Sequence, residues 1–263
     1  MPYAVNEGIR IHYEVEGNGP PLVLQHGLYC PLDMWYELNY VTTLRDDYRL
    51  ILIDQRGHGD SDKPYNPEDY QVELMVSDIV AVLDHLGVAK AHYLGYSAGG
   101  LLGFGIAKFT PERFYSLIIG GMHPYDDRAG RLAWRQEQIQ ALEKQTVQEF
   151  VTGMENYMLS LHLPAFSPRM KNRMLTHDLQ AISAWLRQFE QPDFEPMLDT
   201  ITLPCLLYAG EHDIFYAPMQ KAAKTIPGAT FASIPNAGHF DDGTWVKILA
   251  PHIRELIARA AST

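Results

Sequence analysis

The chain has 263 residues, 46% of them hydrophobic and 20% charged, proportions of an ordinary globular protein that exclude disorder and collagen-like repeats. Its 21 basic against 32 acidic side chains leave a formal charge of −11, which lacks the basic footprint needed to hold nucleic acid or an anionic membrane. At about 150 residues per domain, the length fits one α/β domain carrying an insertion as well as it fits two domains. Two cysteines, Cys30 and Cys205, cannot make a disulfide framework or a four-thiolate zinc site, and read as reduced thiols. The first residues, Met1 to Glu7, have no basic start and no long apolar core, so no signal peptide is expected. The longest charge-free stretch, Ala91 to Ala107, is broken by glycines and falls short of the about 20 apolar residues a membrane span needs. A soluble, cytoplasmic protein is expected.

Ile9 to Val15 alternates apolar and polar residues, as a half-buried strand does. A Gly/Pro turn at Gly17 to Pro21 follows. Short apolar runs at Leu22–Leu24, Leu50–Ile53, Tyr93–Leu94, Leu117–Ile119, Leu206–Tyr208 and Phe231–Ile234 read as strands, several of them covered on both faces. Between them lie helical patterns. Leu74, Ile79, Val82, Leu83 and Leu86 recur at helical spacing, with Gly87 placed as a C-terminal stop. Val246, Ile248, Leu249, Ile253, Leu256 and Ile257 do the same near the end, where Pro251 is expected to kink or delay the helix. This alternation predicts a mostly parallel central sheet flanked by helices.

The rhythm fails once. From about Tyr125 to Thr202 no strand is evident, and helices are expected at Leu132–Phe150 and Pro168–Phe189, the second capped by Ser167. Residues 125–202 therefore read as a helical insertion, and 1–124 with 203–263 as the core that carries it. The methionines and aromatics of the insertion read first as glue to the core. Trp134, Met158 and Trp185 are the candidates among them for lining a substrate pocket.

Gly95-Tyr96-Ser97-Ala98-Gly99 sits between an apolar strand and an apolar helix, the setting of a nucleophile elbow. A serine alcohol needs an adjacent base held by a third group. Downstream, Asp213 follows the Leu206–Tyr208 strand and His239 follows Phe231–Ile234, both in loops beyond strand ends. Ser97, Asp213 and His239 are the candidate catalytic residues. Glu211, Asp241 and Asp242 are rival carboxylates read as loop or capping groups, and Asp126 or Asp127 offers an alternative acid after the sixth strand. The amide of Ala98 is one expected oxyanion donor. The second is assigned to Leu28, on the view that a flexible His26-Gly27 turn lets its amide point inward, with Tyr29 as the alternative. Tyr29 and Tyr96, beside these donors and the nucleophile, would shape the pocket.

Together, His26-Gly27, the run Asp54-Gln55-Arg56-Gly57-His58-Gly59-Asp60-Ser61, the elbow and the Asp213/His239 pair resemble the α/β-hydrolase superfamily, in its small cap-bearing serine hydrolase branch. The resemblance spans Ile9 to His239. It implies an α/β-hydrolase fold in which 125–202 is a helical cap, and an Asp54–Ser61 run that serves as a structural turn. Related dehalogenases and epoxide hydrolases carry aspartate where Ser97 stands, so those activities are not expected. No phosphate loop and no metal-ligand spacing is present, so neither cofactor nor metal is expected. The reading is hydrolysis of a carboxylic ester or lactone of a mostly apolar small molecule through an acyl-serine, by a monomer or homodimer. Carbon–carbon bond hydrolysis and a hydrolase-like ligand receptor are the alternatives.

Overall fold

The computed structural model describes residues 2–126, 128–188 and 192–260, with 128–131 as backbone alone. Its elements run β1 (Tyr3–Asn6), β2 (Ile9–Glu16), β3 (Pro21–Gln25), α1 (Met34–Glu37), α2 (Tyr40–Leu44), β4 (Arg49–Ile53), α3 (Val72–His85), β5 (Ala91–Tyr96), α4 (Ala98–Phe109) and β6 (Phe114–Gly120). There follow α5 (Arg128–Lys144), α6 (Val147–Ser160), α7 (Pro168–Met174), α8 (Leu179–Gln188), β7 (Cys205–Gly210), α9 (Tyr216–Thr225), β8 (Thr230–Ile234) and α10 (Trp245–Ala260). One eight-stranded sheet is ordered β1-β2-β4-β3-β5-β6-β7-β8. Pairing is antiparallel at β1/β2 and β2/β4 and parallel from β4 through β8. This is an α/β-hydrolase fold, as the sequence predicts.

The central strands are buried throughout: Leu22 to Leu24, Leu50 to Ile53, Leu117 to Ile119 and all of β7. Helices on both faces require this. β2 departs from simple alternation at His12, which is buried because its Nδ1 reaches Asp54 Oδ2 at 2.7 Å. The same carboxylate accepts from the Leu32 and Asp60 amides at 2.7 and 3.0 Å. Asp54 thereby fixes the loop after β4, and a Cβ on Gly59 would lie 2.1 Å from its carboxyl carbon. Gly87, at φ 65°, follows α3 as a left-handed stop.

Three helical expectations change. α10 runs through Pro251, so of the two expected effects, a kink or a delay, the delay does not occur. The missing N–H falls on the exposed side, where the carbonyl one turn earlier can be hydrated, while Trp245, Leu249, Ile253 and Leu256 bury the opposite face. The single helix expected over Leu132–Phe150 is two, because Thr146 and Glu149 form a capping box that starts α6. The stretch Pro168–Phe189 also splits. Ser167 caps α7 through the Met170 amide, and Asp178 accepts from the Gln180 and Ala181 amides to begin α8. Phe189 and Asp127, both named above, lie outside the described residues. Among the described residues, no helix is long and apolar enough to cross a membrane.

Candidate active site

Ser97, Asp213 and His239 meet at the C-terminal ends of β5, β7 and β8. Ser97 Oγ donates to His239 Nε2 at 3.1 Å, and His239 Nδ1 donates to Asp213 Oδ2 at 2.8 Å. The other carboxylate oxygen, Oδ1, accepts from the Phe215 amide at 3.0 Å, so both Asp213 oxygens are bound and its side chain is fully buried. His239 keeps a quarter of its side chain exposed, leaving the serine approachable.

The elbow is built by backbone crowding. Ser97 sits at φ 54°, ψ −114°, a conformation that costs on the order of 1–3 kcal/mol and needs surrounding structure to hold it. Its amide donates to the Gly120 carbonyl at 2.8 Å, and its own carbonyl accepts from Leu101 at 3.0 Å, which starts α4. Only glycine fits on either side. A Cβ on Gly95 would lie 2.2 Å from the Gly99 carbonyl oxygen, and one on Gly99 would lie 2.1 Å from that of Gln25.

The loop after β3 abuts the serine, with Gly27 close enough that an added Cβ would sit 3.2 Å from Ser97 Cβ. Among the described residues no acceptor engages the amides of Leu28 or Ala98, whereas the Tyr29 amide is bound to His58 Nε2 at 3.4 Å. This arrangement favours Leu28 over Tyr29 as a donor available to a ligand. The turn is not flexible. His26 Nδ1 donates to the Gly27 carbonyl at 2.8 Å, and its Nε2 accepts from the Gln55 amide at 3.0 Å.

The rival carboxylates are occupied elsewhere. Glu211 accepts from the Asn236 amide and the Ser233 hydroxyl, both at 3.1 Å, tying together the loops that carry Asp213 and His239. Asp241 accepts from the Gly243 amide at 2.7 Å and Asp242 from the Thr244 amide at 2.9 Å, ahead of α10. Asp126 is exposed. Burial pushes the Asp241 carboxyl up to about 7, against the amides that stabilise its charge. Among the described residues, no cluster of three or more His, Cys, Asp or Glu side chains could hold a metal ion.

Of the pocket candidates, Tyr96 lies beneath the site. Its hydroxyl donates to the His239 carbonyl, its ring centroid lies 5.3 Å from the imidazole, and burial keeps the phenol protonated. Tyr29 reaches toward α5, donating to Gln138 Oε1 at 3.2 Å. Trp185 is buried on α8 and lines a cavity with Tyr70, Met75, Leu101 and Phe109, away from the serine. Trp134 is exposed on α5 and Met158 half-buried on α6, and no hydrogen bond or ring contact joins either to Ser97 or His239. The rings that do flank His239 include Phe215, at 5.3 Å, and Phe240, at 5.5 Å, with Tyr157 of α6 edge-on to Phe240 at 5.7 Å. Sequence reasoning missed Phe215 and Phe240; each stands within two residues of a candidate catalytic residue, the one signal that could have found them.

Residues 20–241 match a family model described as the alpha/beta hydrolase fold. A candidate 2-succinyl-6-hydroxy-2,4-cyclohexadiene-1-carboxylate synthase of Bacillus subtilis is 28% identical over 251 residues, covering 89% of this chain and 90% of that protein. A 3-oxoadipate enol-lactonase of Acinetobacter baylyi is 28% identical over 214 residues, covering 79% and 77%. Among solved structures, a thermophilic esterase from Thermogutta terrifontis superposes with a TM-score of 0.82 at 24% identity, covering 98% of both chains.

Proposed function

Because the chain belongs to the α/β-hydrolase family, we propose that it is a serine hydrolase cleaving a carboxylic ester or lactone of a mostly apolar small molecule. The observation that carries this reading is the unbroken line from Ser97 Oγ through His239 to Asp213, at 3.1 and 2.8 Å, on a strained elbow. Ser97 Oγ attacks the carbonyl carbon while its proton passes to His239 Nε2. Asp213 holds the Nδ1 proton, fixing the tautomer and stabilising the imidazolium. The carbonyl oxygen, now an oxyanion, is received by the amides of Leu28 and Ala98. Collapse expels the alcohol, which takes the proton from His239 and leaves an acyl-Ser97. Water, deprotonated by His239, then attacks the acyl carbon and releases the acid and the serine. For a lactone, acid and alcohol leave as one molecule.

The enol-lactonase and esterase names among similar proteins support the ester or lactone class. The rings of Phe215, Phe240 and Tyr157 around His239 support an apolar substrate. Residues 125–202 act as the cap, with α6 supplying Tyr157 to the side of the site. Labelling with a fluorophosphonate, followed by esters and lactones graded by chain length, tests the reading. Wild-type protein should label and turn over, and Ser97→Ala should do neither, with at least about 10⁴-fold lower turnover. Its circular dichroism should be unchanged. Ester turnover retained by Ser97→Ala would reject the acyl-serine route.

A further inference from the structure

The loop that offers the Leu28 amide is held by histidines on three successive peptide groups. His26 Nδ1 donates to the Gly27 carbonyl at 2.8 Å. That carbonyl and the Leu28 amide belong to one planar trans peptide, so fixing the oxygen fixes the N–H on the opposite side. The next peptide is held by its Tyr29 amide, which donates to His58 Nε2 at 3.4 Å. The third is held by its Tyr29 carbonyl, which accepts from His177 Nε2 at 2.8 Å. Tyr29 needs this restraint, since its φ of 69° is one that side chains other than glycine disfavour.

The histidines come from different parts of the chain. His58 lies after β4, where its Nδ1 donates to the Arg56 carbonyl at 3.3 Å, and Arg56 is locked to Asp78 by two contacts of 2.6 Å. His177 lies in the α7–α8 connection, inside the insertion. On one side of it Arg173 binds Asp33 at 2.8 Å and Asp60 at 2.5 Å. On the other, Asp178 accepts from the Tyr65 hydroxyl at 2.7 Å. The His58 and His177 rings meet edge-on at 6.0 Å, and Phe150 of α6 stacks on His177 at 6.3 Å. Burial lowers both imidazoles, His177 to about 4, so at neutral pH His58 keeps a lone pair for the Tyr29 amide and His177 a single donor N–H.

We propose that His58 and His177 are positioning residues for the oxyanion hole, and that His177 makes the aim of the Leu28 amide depend on docking of the 125–202 insertion. The proposal rests on the serine-hydrolase reading above. With the insertion displaced, the core would keep Ser97, His239, Asp213 and the 3.3 Å bond from the Cys30 amide to the Gly27 carbonyl, but lose the His177 bond that holds the Tyr29 carbonyl.

The test uses full-length protein with His177→Leu, which fills the space without a donor, and His177→Gln, which restores an N–H. Phe150→Leu removes the ring contacts with both His177 and Tyr29 and leaves the hydrogen bond. Phosphonylation of Ser97 by a fluorophosphonate is timed, because its phosphoryl oxygen occupies the oxyanion site as the Ser97 Oγ–P bond forms and fluoride leaves. Hydrogen exchange over residues 26–30 is followed in parallel. His177→Leu should label at least about tenfold more slowly, a fraction of the loss from deleting an oxyanion donor outright. On a turned-over ester it should lower kcat with KM within about twofold, the signature of an interaction made in the transition state. Exchange over 26–30 should quicken, while His177→Gln and Phe150→Leu stay near wild type. Wild-type labelling and exchange in His177→Leu would overturn the proposal. Equal slowing in His177→Leu, His177→Gln and Phe150→Leu would also overturn it, since ring packing would then be the cause. Failure of the wild-type protein to label at Ser97 would overturn the hydrolase reading itself, and appears before any substitution is made.

Discussion

Around Ser97 the backbone is held by contacts that admit few residues, whereas α7 is held to the loops after β3 and β4 by long side chains reaching across an interface. At the elbow, a carbonyl within 2.2 Å of an imagined Cβ excludes everything but glycine at both Gly95 and Gly99. On the insertion, Arg169 and Arg173 of α7 converge on Asp33, and Arg173 also meets Asp54 at 3.2 Å and Asp60 at 2.5 Å. Arg169 lies over the Tyr36 ring at 4.0 Å as well. Backbone crowding leaves a narrow signature in the sequence. Side-chain docking leaves almost none, because many residue pairs could serve and their partners lie more than a hundred positions apart. The same difference predicts how each region fails: substitutions at strand ends should stop chemistry with the fold intact, and substitutions on the insertion should change stability or selectivity first.

The sharpest version of that contrast is at the acid. Asp213→Asn should lower the acyl-transfer rate by about 10²–10⁴, since an amide favours the wrong histidine tautomer. Asp126→Asn, on an exposed residue after β6, should stay within about threefold of wild type, as surface changes do. Steady-state kinetics on the two variants decides the assignment, and a crippled Asp126 variant beside an active Asp213 variant would move the acid to the other strand. On the insertion, Arg173→Met leaves Asp54 and Asp33 short of a counter-charge while both are nearly solvent-free. His12 and Arg169 still serve them, so the expected loss is about 3 kcal/mol, the lower end for a broken buried pair. Chemical denaturation measures it, and limited proteolysis should cut first within α5 to α8.

Asp241 tests the core from a third direction. Its carboxyl is raised to about 7 in the folded protein, so between the ordinary carboxylate range and neutrality the folded state holds a proton that the unfolded chain has lost. Stability should therefore fall by about 2 kcal/mol from about pH 5 to about pH 7 on this account. Asp241→Asn should remove that slope in urea titrations at the two pH values. An unchanged slope would assign the dependence to other groups. The smallest effects belong to the rim of the site. Tyr157→Ala and Phe240→Ala should shift the preference between short and long acyl chains by about two- to tenfold, the scale of a methylene or two in an apolar pocket. A chain-length profile that does not move in either variant would make this part of α6 a cover and not a wall.

Much of the molecule is legible in the sequence. The strands from β2 to β8, the elbow, and the succession of Ser97, Asp213 and His239 follow from signals a few residues long, whereas the four-residue edge strand β1 was not read. Thr146 and Glu149 carried an equally local capping signal, and it marks the break between α5 and α6. Pro251 argued for a kinked or delayed helix. The helix is not delayed, because Pro251 falls on the side of α10 that faces water, something only the packing of Trp245 and Leu249 decides.

What the sequence alone determined is wherever the backbone itself is constrained: an apolar run buried on both faces, a strained turn that excludes side chains, a cap that satisfies free amides. What only the tertiary structure decided is which distant side chains meet. Trp185 went into a cavity on α3 and α4, Phe215 and Phe240 came to flank His239, and His177 reached the Tyr29 carbonyl across 148 positions. A helix of known sequence can bury any face until its neighbours are in place. Its periodicity fixes only which residues share that face.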